Sequence, residues 1–127
     1  MPVYGPIIAG SPTSRAPSAA TAYQATNPNA VAIVNLNLTS SAALSISGGT
    51  TNSADIVIGS TNAVASGTGT VIGKYSNSST GTLTIGLNTA TVAACPISFI
   101  LPAGWYWAWR ITSGSVTATS AFDQQIS

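Results

Sequence analysis

Three tryptophans occupy alternate positions in the run Trp105-Tyr-Trp-Ala-Trp-Arg-Ile111. In an extended strand, alternate side chains face opposite ways. Trp105, Trp107, Trp109 and Ile111 therefore share one face, and Tyr106, Ala108 and Arg110 share the other. Each buried aromatic hides about 150–250 Å², so three indoles in a row form the largest apolar block in the chain. Such a face needs a second sheet or a partner chain against it.

The same alternation recurs upstream. Val31 to Leu38 turns Val34, Leu36 and Leu38 one way and Asn35 and Asn37 the other. Ala43 to Ser47 points Leu44 and Ile46 inward before the Gly48-Gly49 turn. Asp55 to Gly59 is a short continuous apolar run, the pattern of a strand covered on both faces. Thr61 to Gly69 is a polar loop, and Thr70 to Tyr75 is a strand with Gly73 as a bulge or close-approach point. Ser76 to Gly81 reads as a polar turn, Thr82 to Leu87 as an alternating strand, and Thr91 to Ala94 as a weak strand stopped by Pro96. Ile97 to Leu101 follows. Leu101 to Gly104 then forms a tight turn with Pro second and Gly fourth, as type I turns prefer. Thr112 to Ser115 is a hairpin connection leading to a last strand from Val116 to Phe122.

No segment keeps a helical period. Roughly eight or nine short strands with Ser, Thr, Asn and Gly between them indicate an all-β fold. The expectation is an antiparallel two-sheet β-sandwich, jelly-roll-like, with an extended N-terminal arm. The arm is residues 1–20 and the sandwich residues 21–127. Four of the seven prolines lie within the first 17 residues, which keeps that segment extended. Val3, Tyr4, Ile7 and Ile8 make it too apolar for a tail that meets only water, so it should lie along its own domain or a neighbouring subunit.

Charge limits the chemistry. Charged residues make up 4% of the chain, against about 25% in ordinary globular proteins. They are Arg15, Lys74, Arg110, Asp55 and Asp123. A net charge of +1 offers nucleic acid no set of phosphate contacts and gives copies of the chain little mutual repulsion. With no histidine and one cysteine, neither a metal site nor a Ser-His-Asp arrangement is expected, and no cofactor. Cys95 reads as a small buried hydrophobe. Asp55 and Asp123 are the only pair a glycosidase could use, and each reads more simply as a carboxylate accepting turn hydrogen bonds. Gly48-Gly49 and Gly67-Thr-Gly69 lack the lysine and following helix of a phosphate loop. Asn37 and Asn77 fit the N-glycosylation pattern by chance, since no secretory signal is visible and no apolar run is long enough to span a membrane. The tryptophan row could stack sugars if exposed, but core or subunit interface is the better reading. Arg110 is expected to pair with Asp123 or with a neighbour's carboxylate.

Four stretches carry a family resemblance: Ala22-Tyr-Gln-Ala-Thr-Asn27, Ser60 to Gly69, Leu101-Pro-Ala-Gly-Trp-Tyr106 and Ser120-Ala-Phe-Asp-Gln124. They resemble small virion proteins and fibre-tip modules of tailed bacteriophages and prophages, over about residues 20–125. Neither of the two most specific stretches, the one at 101–106 and the one at 120–124, is a catalytic signature. The resemblance implies a non-enzymatic structural protein on the exterior of the virion, made in the host cytoplasm and commonly oligomeric. Two placements follow. One is a capsid decoration or cement protein, forming trimers in preference to dimers on the major capsid protein. The other is a tail-fibre or receptor-binding tip, held by tail proteins and recognising a host surface glycan or pilus. The expected interface residues are Val3, Tyr4, Ile7, Ile8, Trp105, Trp107, Trp109 and Arg110.

Overall fold

The computed structural model describes residues 13–43, 51–78 and 90–126, with side chains described for 13–40, 51–77 and 95–126. Among the described residues eight strands are formed: β1 (Thr13–Arg15), β2 (Tyr23–Gln24), β3 (Ala32–Ala43), β4 (Thr51–Gly59), β5 (Thr70–Ser78), β6 (Ala90–Leu101), β7 (Tyr106–Ser113) and β8 (Thr117–Gln125). They make two four-stranded antiparallel sheets, β1-β8-β3-β6 (sheet I) and β2-β7-β4-β5 (sheet II). First pairs with last all the way in: β1 with β8, β2 with β7, β3 with β6, β4 with β5. The chain is thus one long ribbon folded in half. Rolling that ribbon adds the β3–β8 and β4–β7 pairings. This is the order of a jelly roll, so the expected β-sandwich is the fold.

Alternation fills the space between the sheets. Val34, Leu36 and Leu38 of β3 face Ile56 of β4 and Trp107 and Trp109 of β7, all buried. Trp107 lies between Tyr23, with ring centroids 5.3 Å apart, and Phe99, 5.8 Å away and edge-on. Hiding that indole contributes roughly 5 kcal/mol of apolar transfer.

The middle of sheet II is covered on its outer side as well. A 3-10 turn, Asn62–Ser66, lays Val64 over Val57 of β4 and Ala108 of β7. Thr61 caps its start, accepting from the Ala63 amide through its hydroxyl at 3.4 Å. Gly67 closes it at φ +93°, donating to the Val64 carbonyl at 3.0 Å. The Asp55–Gly59 run is continuous because Ile56 faces the core and Val57 faces this turn. The bulge expected at Gly73 falls one residue away, at Ile72, and a Cβ at Gly73 would make only ordinary contact, with Ile56 and Ile97 at 3.4 Å.

Four local expectations are corrected. Pro96 does not stop a strand but lies within β6, opposite Asn37. It is tolerated because β6 is the edge of sheet I and needs no donor on its open side. Ser76–Ser78 is strand rather than turn, since Asn77 faces inward and is held by Ser40. The turn before β7 lies one residue later than expected. The Trp105 amide donates to the Pro102 carbonyl at 3.1 Å, and Gly104 takes φ +79°, the third position of a type II turn. Thr112–Ser115 does not join a hairpin. β7 belongs to sheet II and β8 to sheet I, so the connection arches between sheets. Asn52 pins that arch by accepting from the Ser115 amide at 2.9 Å, and Val116 drops into the core. The strands expected around Leu44 and Ile46 and over Thr82–Leu87 lie outside the described residues.

The N-terminal chain is a clasp. β1 extends sheet I beside β8, and β2 extends sheet II beside β7. Between them the chain runs along one open side of the sandwich. The Ala20 amide donates to the Trp109 carbonyl at 2.9 Å, and the Trp109 indole donates to the Pro17 carbonyl at 3.3 Å. The sandwich therefore takes in residues that precede position 21.

Candidate interaction surfaces

Three of the stretches that carry the resemblance meet at one end of the sandwich. The Thr26 hydroxyl donates to Asp123 Oδ1 at 2.6 Å, and Asn27 Nδ2 donates to Gln125 Oε1 at 3.0 Å. The Gly104 amide donates to the Pro28 carbonyl at 2.6 Å, and Gln24 Nε2 to the Gly104 carbonyl at 3.2 Å. The stretches at 22–27 and 120–124, with Thr13, Ala32 and Gln125, line a pocket of about 210 Å³ whose walls include Ala25, Thr26, Asn27 and Asp123. Asp123 is 3% exposed, and its oxygens are occupied. Oδ2 accepts from Arg15 Nε at 2.7 Å and from the Thr26 amide at 3.2 Å. The carboxylate is a structural tie. Asp55 stands on the outer face of sheet II, so the two acids do not face a common site. Among the described residues no group of three metal-ligating side chains is found.

The structure divides the residues expected at an interface. Trp107 and Trp109, at 0% and 3% exposure, are core of the single chain and offer a partner no indole face. Trp105 is half-buried, lies outside β7 and packs on the core from its rim. Arg110 does not pair with Asp123, because their strands belong to different sheets and Arg15 holds that carboxylate. It points outward from sheet II in the cross-strand row Lys74–Asp55–Arg110, with its guanidinium against Gly67. Its Nε is buried with no hydrogen-bond partner among the described residues. Val3, Tyr4, Ile7 and Ile8 lie outside the described residues. Asn77 of the glycosylation pattern is buried and donates to Ser40. Cys95 is half-buried against the core and is a free thiol.

Sequence reasoning passed over the outer face of sheet I. Its cross-strand rows run Ile100–Ile33–Gln124, then Ser98–Asn35–Phe122–Ser14, then Pro96–Asn37–Ser120. Ile100 is 61% exposed and Phe122 41%. The rows carry no charge. Arg15 and Asp123 turn inward on sheet I, while Lys74, Asp55 and Arg110 lie on the far side of sheet II, which accounts for every charged side chain. Asn35 Oδ1 accepts from the Ser98 hydroxyl at 2.5 Å. Asn37 Oδ1 is buried and lacks a donor among the described residues. An acceptor in that state costs about 1–3 kcal/mol. The signal for this face was present in Ile97-Ser-Phe-Ile-Leu101, where Ile100 breaks an otherwise polar outward position.

Comparison of the chain with protein-family models, curated proteins and solved structures returns no match in any of the three.

Proposed function

We propose that this chain is a non-enzymatic structural protein of a bacteriophage particle, working by contact with its own copies and with the shell as a capsid decoration protein on the virion exterior. The observation that carries this reading is the outer face of sheet I, which has no charge and exposes Ile100 and Phe122. Exposed apolar area rimmed by neutral amides and hydroxyls is the chemistry of a contact surface. The five charged groups are spent in the Arg15–Asp123 pair and in the Lys74–Asp55–Arg110 row. Jelly rolls also serve as viral capsid domains, which supports the reading by analogy of fold alone.

A second reading is a tail-fibre tip that binds a host glycan. It draws on the pocket beside Asp123, whose Thr13, Thr26, Asn27 and Gln125 are neutral hydrogen-bonding groups of the kind that meet sugar hydroxyls. Quantitative gel analysis of purified particles separates the two. Copies on the scale of the shell subunits support decoration, a handful per particle supports the tail, and absence from the particle overturns both.

A further inference from the structure

We propose that the outer face of sheet I is where two copies of this chain meet, laid face to face about a two-fold axis. The inference rests on the reading that the chain self-associates, and it adds the surface and the symmetry.

A two-fold contact sets a patch against itself, so side chains near the axis meet their own copies. A charge there would meet a like charge. This face carries none, although Lys74, Asp55 and Arg110 cross the opposite side of the sandwich in a single row. Its polar groups are amides and hydroxyls, which both donate and accept and so can pair with themselves. The apolar part is supplied by Ile100 and Phe122, at 61% and 41% exposure, with Ile33 between their strands.

The size is adequate. Eight residues each of β6, β3 and β8, at about 3.3 Å per residue and 4.8 Å per strand, with the three residues of β1 beside them, give a flat footprint of about 430 Å². Side-chain relief brings the accessible area toward the roughly 800 Å² per partner of a stable interface.

The competing mode is pairing along strand edges, and both long edges oppose it. Pro96 removes a donor from the middle of β6, the edge of sheet I. β5, the edge of sheet II, is bulged where Ile72 has no register partner. Such interruptions blunt edge-to-edge joining. On sheet I the β3–β6 register is unbroken, and β8 bulges once, at Thr119.

Sedimentation equilibrium of the full chain tests this, with Ile100→Lys, Phe122→Lys and their combination, and with Ile111→Lys on β7 as the control. Blue-shifted emission from the buried tryptophans verifies that each variant is folded. The proposal expects the unmodified chain and the Ile111→Lys control to be dimers. It expects each single variant on sheet I to weaken the dimer by roughly tenfold or more, and the combination to be a monomer. A folded double variant that stays dimeric moves the contact elsewhere and leaves self-association standing. A trimer overturns the two-fold arrangement. An unmodified chain that is monomeric at the highest soluble concentration overturns self-association itself.

Discussion

Arg15 donates its Nε hydrogen to Asp123 at 2.7 Å, and through it the first described strand is fixed to the last. The same carboxylate holds Thr26, so one acid ties down two separate pieces of the N-terminal chain. Removing it strands the guanidinium and both Thr26 donors. Asp123→Ala should lower unfolding free energy by about 3–5 kcal/mol, the cost of breaking a buried pair from one side. Arg15→Ala should also be strongly destabilising, because it leaves the Asp123 carboxylate at 3% exposure with only its Thr26 donors. Denaturant midpoints at constant m-value check both. A loss below about 1 kcal/mol for Asp123→Ala would mean the tie contributes little.

The tryptophans should separate by depth. Trp107→Ala should cost about 3–5 kcal/mol, and Trp105→Ala, at the half-buried rim, clearly less. Emission of the native chain should be blue-shifted and mostly resistant to acrylamide, with Trp105 supplying the quenchable part. Simple sugars should leave Trp107 and Trp109 emission unchanged. Strong quenching of all three indoles in the folded chain would contradict the buried placement.

Two glycines offer a matched test of close approach against backbone conformation. Gly104 has φ +79° with open space around a would-be Cβ, so Gly104→Ala should cost about 1–2 kcal/mol of left-handed strain. Gly69 has φ +140°, and there a Cβ would run into the Ile58 carbonyl oxygen, which belongs to the backbone and cannot swing aside. Gly69→Ala should therefore be the more damaging by thermal or chemical unfolding. Equal losses would show that the 3-10 loop moves away without cost.

Strand alternation made the inner layer legible. The pattern at Val34, Leu36 and Leu38 pointed to core, and those residues lie there; the tryptophan row pointed to core or interface, and Trp107 and Trp109 are core while Trp105 is half-buried at its rim. The both-faces reading of Asp55–Gly59 was equally accessible, because an unbroken apolar run has no polar side to give to water. Which strands pair was not legible locally. Thr112–Ser115 has the composition of a hairpin turn, and only the roll of the whole ribbon sends β8 to the other sheet. Pro96 was misread because strand propensity does not know which strand is an edge. The partner of Asp123 was missed for the same reason: Arg15 is distant in sequence and reaches the acid only through β1–β8 pairing. The face at Ile100 and Phe122 stayed hidden because two exposed apolar residues on separate strands form a patch only once register is known.

The account depends on copies meeting through sheet I, and inter-spin distances between copies measure that directly. A nitroxide is placed at Ser14→Cys, exposed at the rim of this face beside Phe122, or at Lys74→Cys, exposed on the outer side of sheet II, each in a Cys95→Ala background. The account predicts strong dipolar coupling between copies labelled at Ser14, abolished by dilution with unlabelled chain, and a much longer distance for the Lys74 label. Closer approach of the Lys74 labels, or no coupling at Ser14 where the chain sediments as a dimer, would contradict it.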